Sequence, residues 1–149
     1  MANIFKMKGV VQLVKNIAKI EAKQRAAMKV ATIQGALWVE ADAKRNTPVD
    51  TGNLKGSIFT RYKGGGTKPQ PVANKTGSQN DNKGVTKKMD EIIDSSSDPI
   101  AVVGVGAAYG IYVHELHPSK AKFLERAMKK NQRKIVRNFK KKLALASKP

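Results

Sequence analysis

His114-Glu115-Leu116-His117 is the one run in this 149-residue sequence whose residue types could carry chemistry. Imidazole and carboxylate side chains move protons or ligate metals. The helical zinc-protease pattern needs two histidines four positions apart with a glutamate between them, and here the histidines are three apart. A zinc site also needs a third ligand, and none stands nearby. The run therefore reads as a hydrogen-bonded structural or interface element, with no metal and no catalysis. Gly104-Val105-Gly106 superficially suggests a phosphate-binding loop. Tyr109 stands where the dinucleotide pattern requires glycine, and no acidic residue follows at the expected distance. No serine elbow, paired-carboxylate site or P-loop is present, so no enzyme and no cofactor is expected. Cysteine is absent, which removes disulfides, thiol nucleophiles and thiolate metal sites.

Charge is the other chemical signal. The chain carries 29 Lys plus Arg against 11 Asp plus Glu, a net +18. Residues 1–46 hold 9 basic and 3 acidic groups, residues 47–118 hold 8 and 7, and residues 119–149 hold 12 and 1. A field of this sign favours polyanions, either nucleic acid or an acidic protein surface. Lys129, Lys130, Arg133, Lys134, Arg137, Lys140, Lys141 and Lys142 are the candidate contacts; the competing reading is a solvated lysine face. No apolar run approaches the roughly 20 residues of a membrane span. Met1-Ala2-Asn3-Ile4-Phe5 lacks the basic-then-apolar order of a secretory signal. No membrane partner is expected.

These groups must be positioned by a small number of elements. The turn Thr47-Pro48-Val49-Asp50-Thr51-Gly52-Asn53-Leu54 organises them. Pro48 pushes Thr47 out of helical geometry, so a preceding helix ends near Asn46. Gly52 permits positive φ, and Asp50, Thr51 and Asn53 can bond their own backbone. The stretch reverses a helix into the strand Ser57–Tyr62. Upstream, about Gly9 to Arg45 reads as one helix. Val10, Leu13, Val14, Ile17 and Ile20 form a buried-type stripe, continued by Ala27, Met28, Ala31, Trp38 and Ala41, with Gln24 and Gln34 interrupting it. Such a helix spans roughly 55 Å. It either breaks near Gly35 or sends its first turns beyond the body, where the stripe wants a partner.

Residues 63–97 are rich in Gly, Pro and Asn and cannot order themselves. Only Val85–Asp94 looks helical, and Met89, Ile92 and Ile93 are read as the apolar grip of an assembly arm on another subunit. Ile100–Gly106 is the clearest strand. Ala108–Val113 is a short turn or helix that brings Tyr109 and Tyr112 together for core or interface packing. Ser119 caps a C-terminal helix with Leu124, Met128, Ile135, Phe139 and Leu143 as its apolar stripe. One domain over 1–149, a basic α+β fold with a long central loop, accounts for these features.

In their order these segments resemble a known family. The run from Thr47 to Leu54, followed by Ser57-Ile58, is similar to the entry motif of the small tail-component, or neck, proteins of lambda-like long-tailed bacteriophages. Val103-Gly104-Val105-Gly106, Tyr109, Tyr112-Val113-His114-Glu115, His117-Pro118 and Ala121-Lys122-Phe123-Leu124-Glu125 resemble one branch of that family. Ser119-Lys120 stands where that branch usually carries a glycine. The resemblance implies a virion protein of the neck or tail top, made in the bacterial cytoplasm and without enzymatic activity. It implies a ring, six-fold, joining the connector to the tail tube, with connector, tail-tube or terminator proteins as partners and DNA in the channel. It further implies a long helix on a small, mostly antiparallel sheet with a second helix at the C-terminus, and Tyr109, Tyr112 and Phe123 as anchors of the second half. Two alternatives stay open: a tail-terminator ring that caps the tube, and a basic DNA-binding module without sequence preference.

Overall fold

The computed structural model describes residues 9–49, 52–70 and 81–148. Helix α1 runs unbroken over Val10–Asn46. It stops where Pro48 requires: Thr47 turns extended, with ψ 134°, and gives both its N–H (2.9 Å) and its buried hydroxyl (2.6 Å) to the Ala43 carbonyl. Gly35 does not break the helix. It is a point of close approach to the C-terminal helix, where a Cβ would lie 3.3 Å from the γ carbons of Ile135.

Gly52 takes φ 79°, the left-handed value that favours glycine. Asp50 and Thr51 of the same turn lie outside the described residues. The turn does not feed the strand directly, because a single helical turn, α2 (Asn53–Gly56), intervenes before β1 (Ile58–Tyr62). The two-residue β2 (Gly65–Gly66), helix α3 (Asn82–Asp94), β3 (Ala101–Val105), α4 (Gly110–Leu116) and α5 (Phe123–Ala146) follow. The sheet has the order β2-β1-β3 and is antiparallel throughout, with Ile58 opposite Val105 and Thr60 opposite Val103. The architecture is α+β, with a long N-terminal helix packed on a small antiparallel sheet and a second long helix at the C-terminus.

Alternation along β1 separates two cores. Ile58 faces α1 and α5 and joins Val39, Ala43, Leu54, Ala107, Phe123 and Ala127. Phe59 and Arg61 face the other way, toward α3, where Arg61 holds Asp90 through two 3.0 Å hydrogen bonds. Helix α3 corrects the reading of 63–97 as a loop that cannot order itself. Asp81 caps it by accepting the Gly84 N–H at 2.8 Å, and Met89 and Ile93 are each only 3% exposed. These two side chains are used inside the chain, not as a grip on a neighbour; Ile92 alone of the three is exposed. Gly104 in β3 and Gly106 just after it have the same explanation. A Cβ at Gly104 would meet the Met89 sulfur at 2.6 Å, and one at Gly106 would overlap the Asn82 amide. They let α3 close on the sheet, so their role is packing and not phosphate binding.

Candidate assembly surfaces

Helices α1 and α5 run antiparallel, and their seam is polar at intervals. Asp42 accepts from Asn131 Nδ2 at 2.6 Å, Asn138 donates to Gln34 at 3.1 Å, and Gln24 donates to Ser147 at 3.1 Å. The two glutamines that interrupt the apolar stripe are thus two of the positions where α1 is hydrogen-bonded to α5. The centre of the seam on α5 is Phe123, Ala127 and Asn131, all buried. The apolar residues Leu124, Met128 and Phe139 lie beside that centre, and Ile135 continues it against Gly35. With Gly35, Val39 and Val103 they line an open groove of about 450 Å³ between α1, α5 and β3.

Because α5 ends at Ala146 opposite the region of Gln24, the turns of α1 from Val10 to Lys23 have no partner among the described residues. Every residue from Val10 to Lys23 is exposed, including the five stripe positions Val10, Leu13, Val14, Ile17 and Ile20. The stripe is real as a helical face, but the described residues of one chain do not bury it. Ala41 of its continuation is also exposed, and Ala31, Gly35, Val39 and Ala43 take the core positions.

The basic residues divide by partner. Lys130 Nζ reaches Asp42 at 3.2 Å, Lys129 pairs with Glu125 at 2.6 Å, and Lys134 sits 3.9 Å over the Trp38 ring. Lys129 and its neighbour Lys122 hold the Glu125 carboxyl below its ordinary range, Lys129 chiefly through the hydrogen bond. Lys142 is half-buried. Arg133, Arg137, Lys140 and Lys141 are exposed on one side of α5, and none of them has an ion pair among the described residues. The candidate anion contacts narrow to these four.

The histidine run does not converge. His114 Nδ1 donates to Glu115 at 2.8 Å, and its ring meets Phe123 edge-on at 5.2 Å. His117 Nδ1 accepts the backbone N–H groups of Ser119 (3.3 Å) and Lys120 (3.0 Å). It caps the turn that leads to α5. Ser119 is not the helix N-cap: that position is Lys122, in the left-handed region at φ 55°, with its N–H bonded to the His114 carbonyl. Among the described residues no group of three or more His, Asp or Glu side chains gathers as metal ligands. Tyr109 packs against the main core and accepts from Asn53 at 3.1 Å. Tyr112 is 66% exposed, so it anchors nothing within the chain; with Ile111 and Leu116 it gives α4 an exposed apolar side.

Sequence reasoning missed Glu40, Asp42 and Asn131, three buried polar residues. Glu40 takes the Thr60 hydroxyl at 2.6 Å, the Thr67 hydroxyl at 2.8 Å and Lys44 Nζ at 2.6 Å. Their signal was present: Glu40 and Asp42 fall beside Val39 and Ala43 on the core-facing side of α1. Among the described residues no helix is long and apolar enough to cross a membrane. No protein-family model, no curated protein and no solved structure matches the chain.

Proposed function

We propose that this chain is a structural virion protein of the phage neck or tail top, assembling as a six-fold ring that helps join the connector to the tail tube. Its partners are further copies of itself and the connector and tail-tube or terminator proteins, and it carries out no catalysis. The observation that carries this reading is the length of apolar helix left uncovered by the described residues, Val10 to Ile20 on α1. A surface of this kind is made for a protein neighbour. The resemblance of the Thr47–Leu54 and Val103–Glu125 segments to phage tail-component proteins supplies the setting. A heterologous contact between identical subunits ends without loose edges when it closes into a ring.

A second reading is supported by Arg133, Arg137, Lys140 and Lys141. Their exposed face suits duplex DNA, which would pass through the channel of such a ring. A reconstruction of the virion that contains this chain tests the main reading. Six copies around the neck axis are expected; absence from the neck, or a single copy there, overturns it.

A further inference from the structure

Two apolar surfaces of this chain cannot meet within one molecule. The first is the stripe on the projecting turns of α1. It is in phase with the rest of the helix: steps of three and four from Ile17 through Ile20 reach Gln24, which bonds Ser147, the half-buried Met28, and the buried Ala31 and Gly35. The second is the groove lined by Gly35, Val39, Val103, Leu124, Ile135 and Phe139, with Met128 half-exposed at its edge. Ile17 and Gly35 are about 27 Å apart along an unbroken helix. A straight helix cannot fold its own first turns back onto its middle.

We infer that the projecting stripe of one copy docks in the α1–α5–β3 groove of the next copy. This inference rests on the ring reading above and specifies its subunit contact. Each chain carries one donor and one acceptor, which is what a repeating heterologous contact requires. Charge does not oppose it: Glu125, the single charged residue lining the groove, is already paired with Lys129, and Lys15, Lys19 and Lys23 lie on the side of the incoming segment away from the stripe, out of the contact. The competing self-contact, stripe against stripe, is too small. The projecting segment covers two heptads, fewer than the three to four of a sustained coiled coil, and two helices touching over about 21 Å fall short of the roughly 1,200 Å² of a specific stable interface. The groove adds three elements of body surface to the contact.

The absence of cysteine makes the test direct. Ile17→Cys and Met128→Cys proteins are prepared separately, mixed and oxidised mildly. A disulfide joining the two different variants is expected. Both positions are exposed, so neither change disturbs the fold, and unchanged helical circular dichroism verifies this. Ile17→Glu should weaken self-association at least tenfold, and Ile17→Leu should preserve it. Disulfides formed only within the Ile17→Cys protein would show stripe-on-stripe pairing and overturn the inference. No disulfide at all also overturns it, as does stripe-dependent sedimentation with phosphatidylglycerol vesicles in its place. An oligomer that forms equally well with Ile17→Glu sinks this contact and leaves the ring reading standing; only absence from the neck sinks that.

Discussion

Asp42 on α1 and Asn131 on α5 are joined by a 2.6 Å hydrogen bond across 89 positions of sequence, with both side chains buried. The Asn131 bond is the largest reason the Asp42 carboxyl titrates below its ordinary value of 3.8; burial opposes it, and Lys130 and then Arg45 assist. A carboxylate whose pKa is lower in the folded than in the unfolded chain stabilises the fold fully above its unfolded value. That contribution fades as pH falls below 3.8 toward the folded pKa. Asp42→Asn should therefore flatten part of the acid limb of the stability curve. Asn131→Ala, which leaves the buried carboxylate short of a donor, should cost about 1–3 kcal/mol at neutral pH. Urea unfolding at pH 7 and at pH 3 measures both, and identical pH profiles for wild type and Asp42→Asn would refute the assignment.

Glu40 ties α1 to the β1–β2 edge of the sheet. One of its oxygens takes both the Thr60 and Thr67 hydroxyls, and the other takes Lys44. Thr67 in turn accepts the Thr60 N–H at 2.8 Å, so removing the carboxylate loosens a linked set. Glu40→Ala should cost about 2–3 kcal/mol, because the fully buried Thr60 hydroxyl loses its acceptor. Glu40→Gln keeps an oxygen for the two threonines and gives up only the Lys44 pair, so its cost should be clearly smaller. Equal losses for the two variants in chemical denaturation would show that the threonine bonds do not matter.

The parts of the fold legible in the sequence are those governed by local backbone chemistry. Pro48 ends α1, Gly52 supplies the left-handed turn, and the β-branched run after Pro99 makes β3. Helix α3 was only half legible, because its stability lies in contacts with Phe59 and Gly104, which composition does not encode. The stripe at Val10–Ile20 shows the opposite limit. A helical period says that a face will be covered, and it does not say whether the cover belongs to the same chain. Asp42 could be placed on the core-facing side of α1 by its position beside Val39 and Ala43, but its partner Asn131 reads as an ordinary surface residue until the two helices are brought together.

His117 should act on local structure alone. Its Nδ1 accepts two backbone N–H groups in the turn before α5, at an exposed position where water can replace it. His117→Ala should cost about 0.5–1 kcal/mol, and His117→Asn, which restores an acceptor oxygen, should recover part of that. Thermal unfolding provides the comparison. One equivalent of zinc retained by the wild-type protein and lost in His117→Ala would contradict this role.

The exposed basic side of α5 should bind duplex DNA without sequence preference. Around a ring, 12 basic groups against 1 acidic in residues 119–149 repel one another unless a counter-charge is supplied. Of the eight basic residues between 129 and 142, Arg133, Arg137, Lys140 and Lys141 are exposed and have neither an ion pair nor a ring contact among the described residues, whereas Lys129, Lys130 and Lys134 are engaged by Glu125, Asp42 and Trp38 and Lys142 is half-buried. Each phosphate contact released by salt contributes about 0.9 to the slope of log affinity against log salt. Changing the four free residues to Gln should lower that slope by about 3.6. Lys130→Gln and Lys134→Gln should leave it nearly unchanged while weakening the α1–α5 seam. Filter binding or fluorescence anisotropy across a salt series reads the slope directly. Absence of DNA binding at low salt would redirect the basic face to an acidic neighbouring ring, and a slope insensitive to the four substitutions would show that these residues do not make the contact.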